Sequence, residues 1–137
     1  MLMTRGLFNP LNIPNLAVWL DAMDKSTLTF NSTRISGWAD KSRRDNHAAQ
    51  ATGGSQPLYV ASAINGLPAI RFKDDGAARF MSIPDHASLD YTSCNLFTVF
   101  QRVTDTGGVE RILGKFSTTS PANQREFVQT ISAGDVQ

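Results

Sequence analysis

The residues from Asp40 to His47 form a group of side chains that could bind a metal ion. Oxygen atoms of Asp40, Ser42, Asp45 and Asn46 are suitable ligands for Ca²⁺, and the ring of His47 adds a nitrogen for a softer metal. Their spacing matches no calcium-loop signature. The alternative is a long turn in which Asp40 and Asp45 accept backbone amides, and turn chemistry favours it. We therefore expect no cofactor, with Ca²⁺ as the open alternative.

The other polar side chains predict neither catalysis nor nucleic-acid binding. Lys41, Arg43 and Arg44 are interleaved with acidic residues and lack an aromatic stacking platform, so we expect them to stay solvated. His86 and Cys94 have no catalytic or metal-binding partner at a recognisable spacing. We expect His86 to be a surface residue and Cys94 to be a small apolar residue beside a strand.

The composition is typical of one globular domain. The chain has 137 residues, of which 41% are hydrophobic, and a net charge of +1. This length fits a single core, and the charge balance requires neither nucleic acid nor an anionic membrane as a partner. We recognise no secretory signal and no membrane-spanning stretch. The expectation is synthesis in a cytosol without membrane insertion.

Two short motifs place an Asp two positions after a Trp, as Trp19 with Asp21 and Trp38 with Asp40. Both motifs lie in apolar runs of strand character. Residues two apart share one face of a strand, so each indole is expected to be buried. Each carboxylate is expected to accept backbone amides at a strand end or turn. The sequence therefore predicts structural roles for all four residues.

Strand-like runs follow an extended arm at residues 1–15, where two prolines discourage helix. The strongest run is 96–103, rich in β-branched and aromatic residues, which predicts a central strand. Residues 85–90 predict one helical turn. The predicted strands are 17–20, 26–30, 34–38, 58–60, 69–72, 80–83, 96–103, 111–115 and 127–131.

Turn residues separate these strands. Glycine follows Asn, Asp or Thr at 65–68, 74–76 and 105–108, which predicts three reversals. Short strands at regular intervals with such turns are typical of an all-β fold. We therefore predict an antiparallel β-sandwich or jelly roll over residues 16–137.

Five motifs in a fixed order give the chain a family resemblance. They are LAVWLDA at 16–22, GWADKS at 37–42, QPLY at 56–59, NGLPAIRF at 65–72 and LFTVF at 96–100. The set resembles the LamG-like form of the concanavalin A-like lectin/glucanase superfamily, which is common in phage tail and fibre proteins and in bacterial surface proteins. The resemblance implies a jelly-roll sandwich in which both Trp residues are structural.

Some relatives in this superfamily are glucanases, which carry Glu-x-Asp-x-x-Glu on one strand. This chain has only two Glu residues, Glu110 and Glu126, on different elements. The adjacent Asp74 and Asp75 would face opposite sides of a strand and are expected in a hairpin turn. Common glycoside hydrolysis needs two carboxyl groups about 5 to 9 Å apart. We expect no enzyme, although a catalytic pair beyond Gln137 stays open.

Relatives of this form continue with further strands after the point that corresponds to residues 127–131. The resemblance thus implies a sandwich that is incomplete at its C-terminus, either as a fragment or because another chain completes it. Open sheet edges recruit neighbouring strands. We therefore expect association, as a homo-oligomer or with other proteins.

The function that these features favour is a non-catalytic structural and interaction module of a virion, in a phage tail, fibre or head decoration. Its expected partners are other virion proteins. The alternative is a carbohydrate-binding lectin module of an adhesin, with Tyr59 and Tyr91 as the candidates for stacking on a sugar ring. A glucanase fragment is a third, weaker hypothesis.

Overall fold

The computed structural model describes residues 8–72, 78–103, 110–116 and 125–131. The chain divides into two compact units, Met1–Leu96 and Phe97–Gln137. All strand pairs between named strands in the described residues are antiparallel, and the only helical elements there are short 3₁₀ turns. The described part of the protein is therefore all-β, as the turn and strand pattern predicts.

The first unit contains one sheet of five strands. They are β1 (Leu28–Asn31), β2 (Arg34–Trp38), β3 (Ala48–Ala49), β4 (Leu58–Ile64) and β5 (Leu67–Arg71). The hydrogen-bonded order is β1-β2-β4-β5, and β3 also pairs with β2. The 3₁₀ turns of this unit are Pro10–Asn12, Lys25–Thr27, Gly53–Ser55 and Ala87–Leu89.

The predicted reversal at 65–68 is confirmed as the β4–β5 hairpin. Asn65 and Gly66 form its two-residue loop with φ angles of 51° and 80°, and Ile64 pairs with Leu67 beside it. Asn and Gly adopt positive φ more readily than other residues, and such primed turns match the twist of the paired strands. The predicted strands 58–60 and 69–72 overlap β4 and β5.

The β1–β2 pair depends on a glycine. Gly37 lies opposite Thr29, and a Cβ atom at Gly37 would lie 3.0 Å from the Thr29 hydroxyl oxygen. The predicted strand 34–38 is confirmed with the same bounds. The predicted strand 26–30 begins only at Leu28, because Asp24 accepts the Ser26 N–H at 3.2 Å and caps a 3₁₀ turn ahead of it.

Two predicted strands near the sheet are wrong. Residues 17–20 form no strand, because their backbone is bonded by the loop after β2, by its side chains and once by the Lys41 N–H, and not by a neighbouring strand. Residues 80–83 provide only the single bridge between Ser82 and Ala49. In both places strand propensity therefore indicated extended backbone, but it did not indicate pairing with a neighbouring strand.

The predicted central strand at 96–103 is also wrong, since the structure assigns no strand to these residues. High β-propensity reflects packing and cross-strand neighbours more than an intrinsic backbone preference. Within the described residues no strand pairs with this segment. Cys94 was expected to be a small apolar residue beside this strand. It is exposed rather than buried, because no strand forms beside it.

The second unit contains a hairpin of β6 (Glu110–Phe116) and β7 (Arg125–Ile131). The predicted strands 111–115 and 127–131 are confirmed within these bounds. The predicted turns at 74–76 and 105–108 lie outside the described residues.

The buried interior of the first unit includes polar as well as apolar side chains. Among the described residues the buried apolar set is Leu28, Ile35, Ala48, Pro57 and Leu89, and the buried polar set is Asp40, Ser42, Asn46, Gln50 and Gln56. These polar groups are hydrogen-bonded: the Gln56 amide, for example, donates to the Gln50 carbonyl at 2.8 Å. Burial of polar groups is tolerated only with such partners, so hydrogen bonds position much of this unit.

Candidate functional site

Asp40, directly after β2, is the centre of a hydrogen-bond network. Its carboxylate accepts four hydrogen bonds, from the N–H groups of Trp19 (2.8 Å), Ser42 (2.8 Å) and Asn46 (3.1 Å) and from the Ser42 hydroxyl (2.5 Å). The first donor is distant in sequence, and the others belong to the loop that follows β2. One buried carboxylate thus joins the segment before β1 to this loop.

The same loop holds the segment through further bonds. The Asn46 side-chain amide donates to the Ala17 carbonyl at 2.8 Å and to the Ser88 hydroxyl at 2.8 Å. His47 Nδ1 accepts the N–H of Asp40 at 2.9 Å. The loop therefore contacts two other parts of the first unit, through Ala17 and through Ser88.

The hydrogen bonds around Asp40 favour its ionised form but do not favour the binding of a metal ion. Burial alone raises the pKa of Asp40, but the bonds from Ser42, Trp19 and Asn46 outweigh it and hold the pKa below its ordinary value of 3.8. The N–H and O–H donors point their positive ends at the carboxylate, which opposes a cation at the same oxygens.

The structure brings together only some of the predicted calcium ligands. Asp40, Ser42 and Asn46 are in contact, but Ser42 and Asn46 act as donors towards Asp40. The carboxylate of Asp45 is mostly exposed, and its nearest ionic partner is His47 Nε2 at 3.8 Å. In the described part of the chain no three His, Cys, Asp or Glu residues gather as a metal site.

Lys41 links both Trp motifs through its charge. Its ammonium nitrogen lies 2.9 Å from Asp21, 3.0 Å from Asp24 and 4.3 Å from the centre of the Trp19 ring. The bond to Asp21 raises the pKa of Lys41, although burial opposes the effect. The Ser26 hydroxyl, and then Lys41, lower the pKa of Asp24. The prediction that Lys41 stays solvated is wrong, because the turn after Trp19 presents two carboxylates to it.

Both indoles are half-buried. Trp38 lies opposite Leu28 in the β1–β2 ladder and opposite Ala48 in the β2–β3 ladder. Its Nε1 atom is buried and has no hydrogen-bond partner among the described residues. Trp19 is covered on one side by Lys41. The rings therefore lie at the boundary of the first unit's interior rather than in its centre.

Tyr59 belongs to an aromatic surface that we define as Tyr59, Phe30 and Lys25. The Tyr59 and Phe30 rings meet edge to face with centroids 5.5 Å apart, and the Lys25 ammonium lies 4.9 Å from the Tyr59 centroid. Tyr59 is half-buried, whereas the other sugar candidate, Tyr91, is exposed. The sequence identified Tyr59 alone, because the contacts with Phe30 and Lys25 arise only when β1 and β4 enter one sheet.

His86 has a local structural role. Its Nδ1 accepts the Ser88 N–H at 3.2 Å and lies 2.8 Å from the Ser88 hydroxyl, which caps the 3₁₀ turn Ala87–Leu89. The predicted helical turn at 85–90 is confirmed in this form, and the side chain is exposed as expected.

The two Glu residues lie at opposite ends of the β6–β7 hairpin. Glu110 pairs with Ile131, whereas Glu126 follows Arg125, which pairs with Phe116. At about 3.3 Å of rise per strand residue, their backbones are on the order of 15–20 Å apart.

The segment 96–103 exposes large apolar side chains. Val99 is 90% exposed, Phe97 86% and Val103 70%, whereas Leu96 is 38% and Phe100 47% exposed. Exposed apolar surface, where it is contiguous, marks sites of interaction with proteins or membranes and ligand-binding grooves.

No protein-family model, no curated protein and no solved structure matches this chain. The comparisons therefore assign no family. Within the described residues, none of the helices has the length and apolar character needed to cross a bilayer.

Proposed function

We propose that this protein is a non-catalytic structural and interaction module of a phage virion, in a tail, fibre or head decoration, built on a concanavalin A-like sandwich. The observation that carries the interaction role is the exposed apolar surface of segment 96–103, where Val99 and Phe97 are almost fully accessible. Water-exposed apolar side chains are stabilised by a partner that covers them.

The contacts that the acidic side chains make within the protein support a non-catalytic role. The carboxylate of Asp40 is saturated by backbone and hydroxyl donors, and Asp21 and Asp24 are paired with Lys41. A catalytic carboxyl group has to reach a substrate, whereas these groups hold the chain together. The virion setting rests on the resemblance of the five ordered motifs to LamG-like phage proteins.

Support for the sandwich comes from the antiparallel sheet of the first unit and from the position of the motifs. The first two motifs, around Trp19 and Trp38, are the ones that Asp40 and Lys41 join. Residues 65–72 contain the β4–β5 loop and β5. The motifs at 16–22, 37–42 and 65–72 thus coincide with contacts that position the sheet, whereas the motif at 96–100 forms no strand.

Mass spectrometry of purified phage particles tests the proposal. We expect the protein in particles encoded by the same genome, retained after washing in high salt. Its consistent absence from such particles, while it accumulates free in the lysate, would contradict a virion role. Release of reducing ends from β-glucan by the purified protein would instead support the glucanase hypothesis.

The aromatic surface favours the lectin module as the second candidate. Phe30 meets the Tyr59 ring edge to face, and the Lys25 ammonium lies over one face of that ring. The other face is the one proposed to stack on a pyranose, with the ammonium binding an acidic substituent. A glycan array tests it with Tyr59→Ala and the exposed Tyr91→Ala as the matched control. Binding that Tyr59→Ala abolishes and Tyr91→Ala retains would support the lectin; no binding by the unmodified chain would reject it.

A further inference from the structure

Residues 90–101 form the longest exposed stretch of the described chain, and we call them the exposed run. All twelve are exposed, whereas the next longest stretch of exposed residues in the described part, 29–33, has five. The structure assigns no helix or strand to the exposed run. The boundary between the two compact units falls within it, after Leu96. Exposed segments at unit boundaries are where folded chains are most readily cut by proteases.

We infer that the exposed run is a cleavage site for an endoprotease with an apolar S1 pocket, and that the bond cut is Phe97–Thr98. A protease binds its substrate as an extended segment within a cleft, so the side chains on both sides of that segment have to be accessible. A partner that docks on a surface needs only one accessible side. In the exposed run both sides are accessible, and the first half-buried residue after it is Arg102.

The side chains of the exposed run determine which class of protease can cut it. No Lys or Arg lies between Arg79 and Arg102, so a protease specific for basic residues has no bond to cut there. A hydrophobic S1 pocket accepts Phe, Tyr or Leu. Phe97 is 86% exposed, whereas the other such residues of the run, Tyr91, Leu96 and Phe100, are 36%, 38% and 47% exposed. Phe97 is therefore the most accessible residue for this pocket.

The reaction is hydrolysis of one peptide bond. One water molecule adds across the C–N bond between Phe97 and Thr98, which breaks; Phe97 gains a carboxylate and Thr98 gains an ammonium group. The products are residues 1–97 and 98–137. The five-stranded sheet lies wholly in the first product, and the β6–β7 hairpin lies wholly in the second. The cut therefore passes through no described strand.

The inference goes beyond the proposed function and does not rest on it. The interaction partner proposed above would cover segment 96–103 and would shield the Phe97–Thr98 bond. Cleavage is therefore expected of the free chain, and a bound chain should resist it.

Brief digestion of the full native chain with a small amount of chymotrypsin tests the inference, with intact-mass spectrometry of the products over time. Phe30 and Phe80 are internal controls, because they are 43% and 51% exposed and so resemble Phe100. Phe30 lies in β1, and the Phe80 N–H donates to the Ser55 carbonyl at 3.2 Å. A cut there requires local opening, so cleavage after Phe97 should be at least about tenfold faster than after either control.

A charged substitution tests the role of the apolar pocket. Phe97→Asp should slow cleavage of the bond after residue 97 by at least about tenfold, because a hydrophobic pocket rejects a carboxylate. Ser93→Asp places the same charge at another position of the exposed run and should leave that rate unchanged. Both substitutions alter exposed side chains, so the fold should be retained, and circular dichroism checks it.

Equal rates of cleavage after Phe97, Phe30 and Phe80 would overturn the inference, since the exposed run would then be no more open than the paired segments. A run that stays intact while bonds elsewhere in the described chain are cut would overturn it too. Cleavage of Phe97→Asp at the unmodified rate would reject the apolar pocket. None of these results bears on the virion role, which mass spectrometry of the particles tests separately.

Discussion

The carboxylate of Asp40 accepts the backbone N–H of Trp19 at 2.8 Å. The Asp of the second Trp-x-Asp motif therefore binds the backbone of the first motif as well as the turn that follows it. Lys41 reinforces the link by lying over the Trp19 ring.

Asp40→Asn should destabilise the protein by about 2–3 kcal/mol, because an amide replaces a charged acceptor and its NH₂ group faces backbone donors. Asp45→Asn is the matched control, since the Asp45 carboxylate in the same loop is mostly exposed. It should change stability by no more than about 0.5 kcal/mol. Urea unfolding of both variants measures the difference. Equal effects would mean that the Asp40 network does not hold the fold.

The same network predicts a dependence on pH. The pKa of Asp40 is lower in the folded protein than its ordinary value of 3.8. Its ionised form therefore stabilises the fold above that value, and the contribution is lost as the pH falls through the folded pKa. The stability gap between the unmodified protein and Asp40→Asn should be constant above about pH 5 and should narrow below 3.8. A gap that widens on acidification would contradict this assignment.

Lys41→Gln should lower the melting temperature by a few degrees, because Asp21 and Asp24 would lose their shared cation. The loss should be greater in low salt, since the groups are partly exposed and salt screens them. The pKa of Lys41 is raised above 10.5, so its contribution persists up to that pH and disappears only above it. Arg44→Gln, at an exposed position of the same loop, is the control. A salt-independent loss would point to packing on Trp19 instead.

Gly37→Ala should cost about 1–2 kcal/mol, because the new methyl group would lie 3.0 Å from the Thr29 hydroxyl oxygen. Gly54→Ala is the matched change at a position with no atom within 4 Å. It should be neutral or stabilise by about 0.5 kcal/mol, since alanine restricts the unfolded chain. Thermal unfolding compares the two. A harmless Gly37→Ala would show that β1 and β2 separate easily.

Local signals in the sequence predicted the elements whose structure depends on near neighbours. The strand 34–38 and the Asn65–Gly66 loop follow from side-chain alternation and turn chemistry, both of which act over a few residues. The 3₁₀ turn at 87–89 follows for the same reason, because its cap is the adjacent His86.

Features that depend on distant partners could not be predicted. Residues 17–20 have strand propensity, but their hydrogen-bond partners lie in the loop after β2. These partners are the side chains of Asp40, Ser42 and Asn46 and the backbone N–H of Lys41. Segment 96–103 has the strongest β-propensity, but no described strand pairs with it. The charge pattern around Lys41 gave no indication of Asp21 and Asp24 as partners. β-propensity describes the backbone conformation that a residue tolerates, whereas strand pairing depends on the segment that folds beside it.

Immunogold electron microscopy of intact phage particles tests the central claim most directly. Antibodies against the purified protein should label one defined part of the particle, on the tail, fibre or head. Particles from a phage lacking the gene provide the control and should carry no gold. Unlabelled particles of the unmodified phage, with the antibody binding only free protein, would contradict the account.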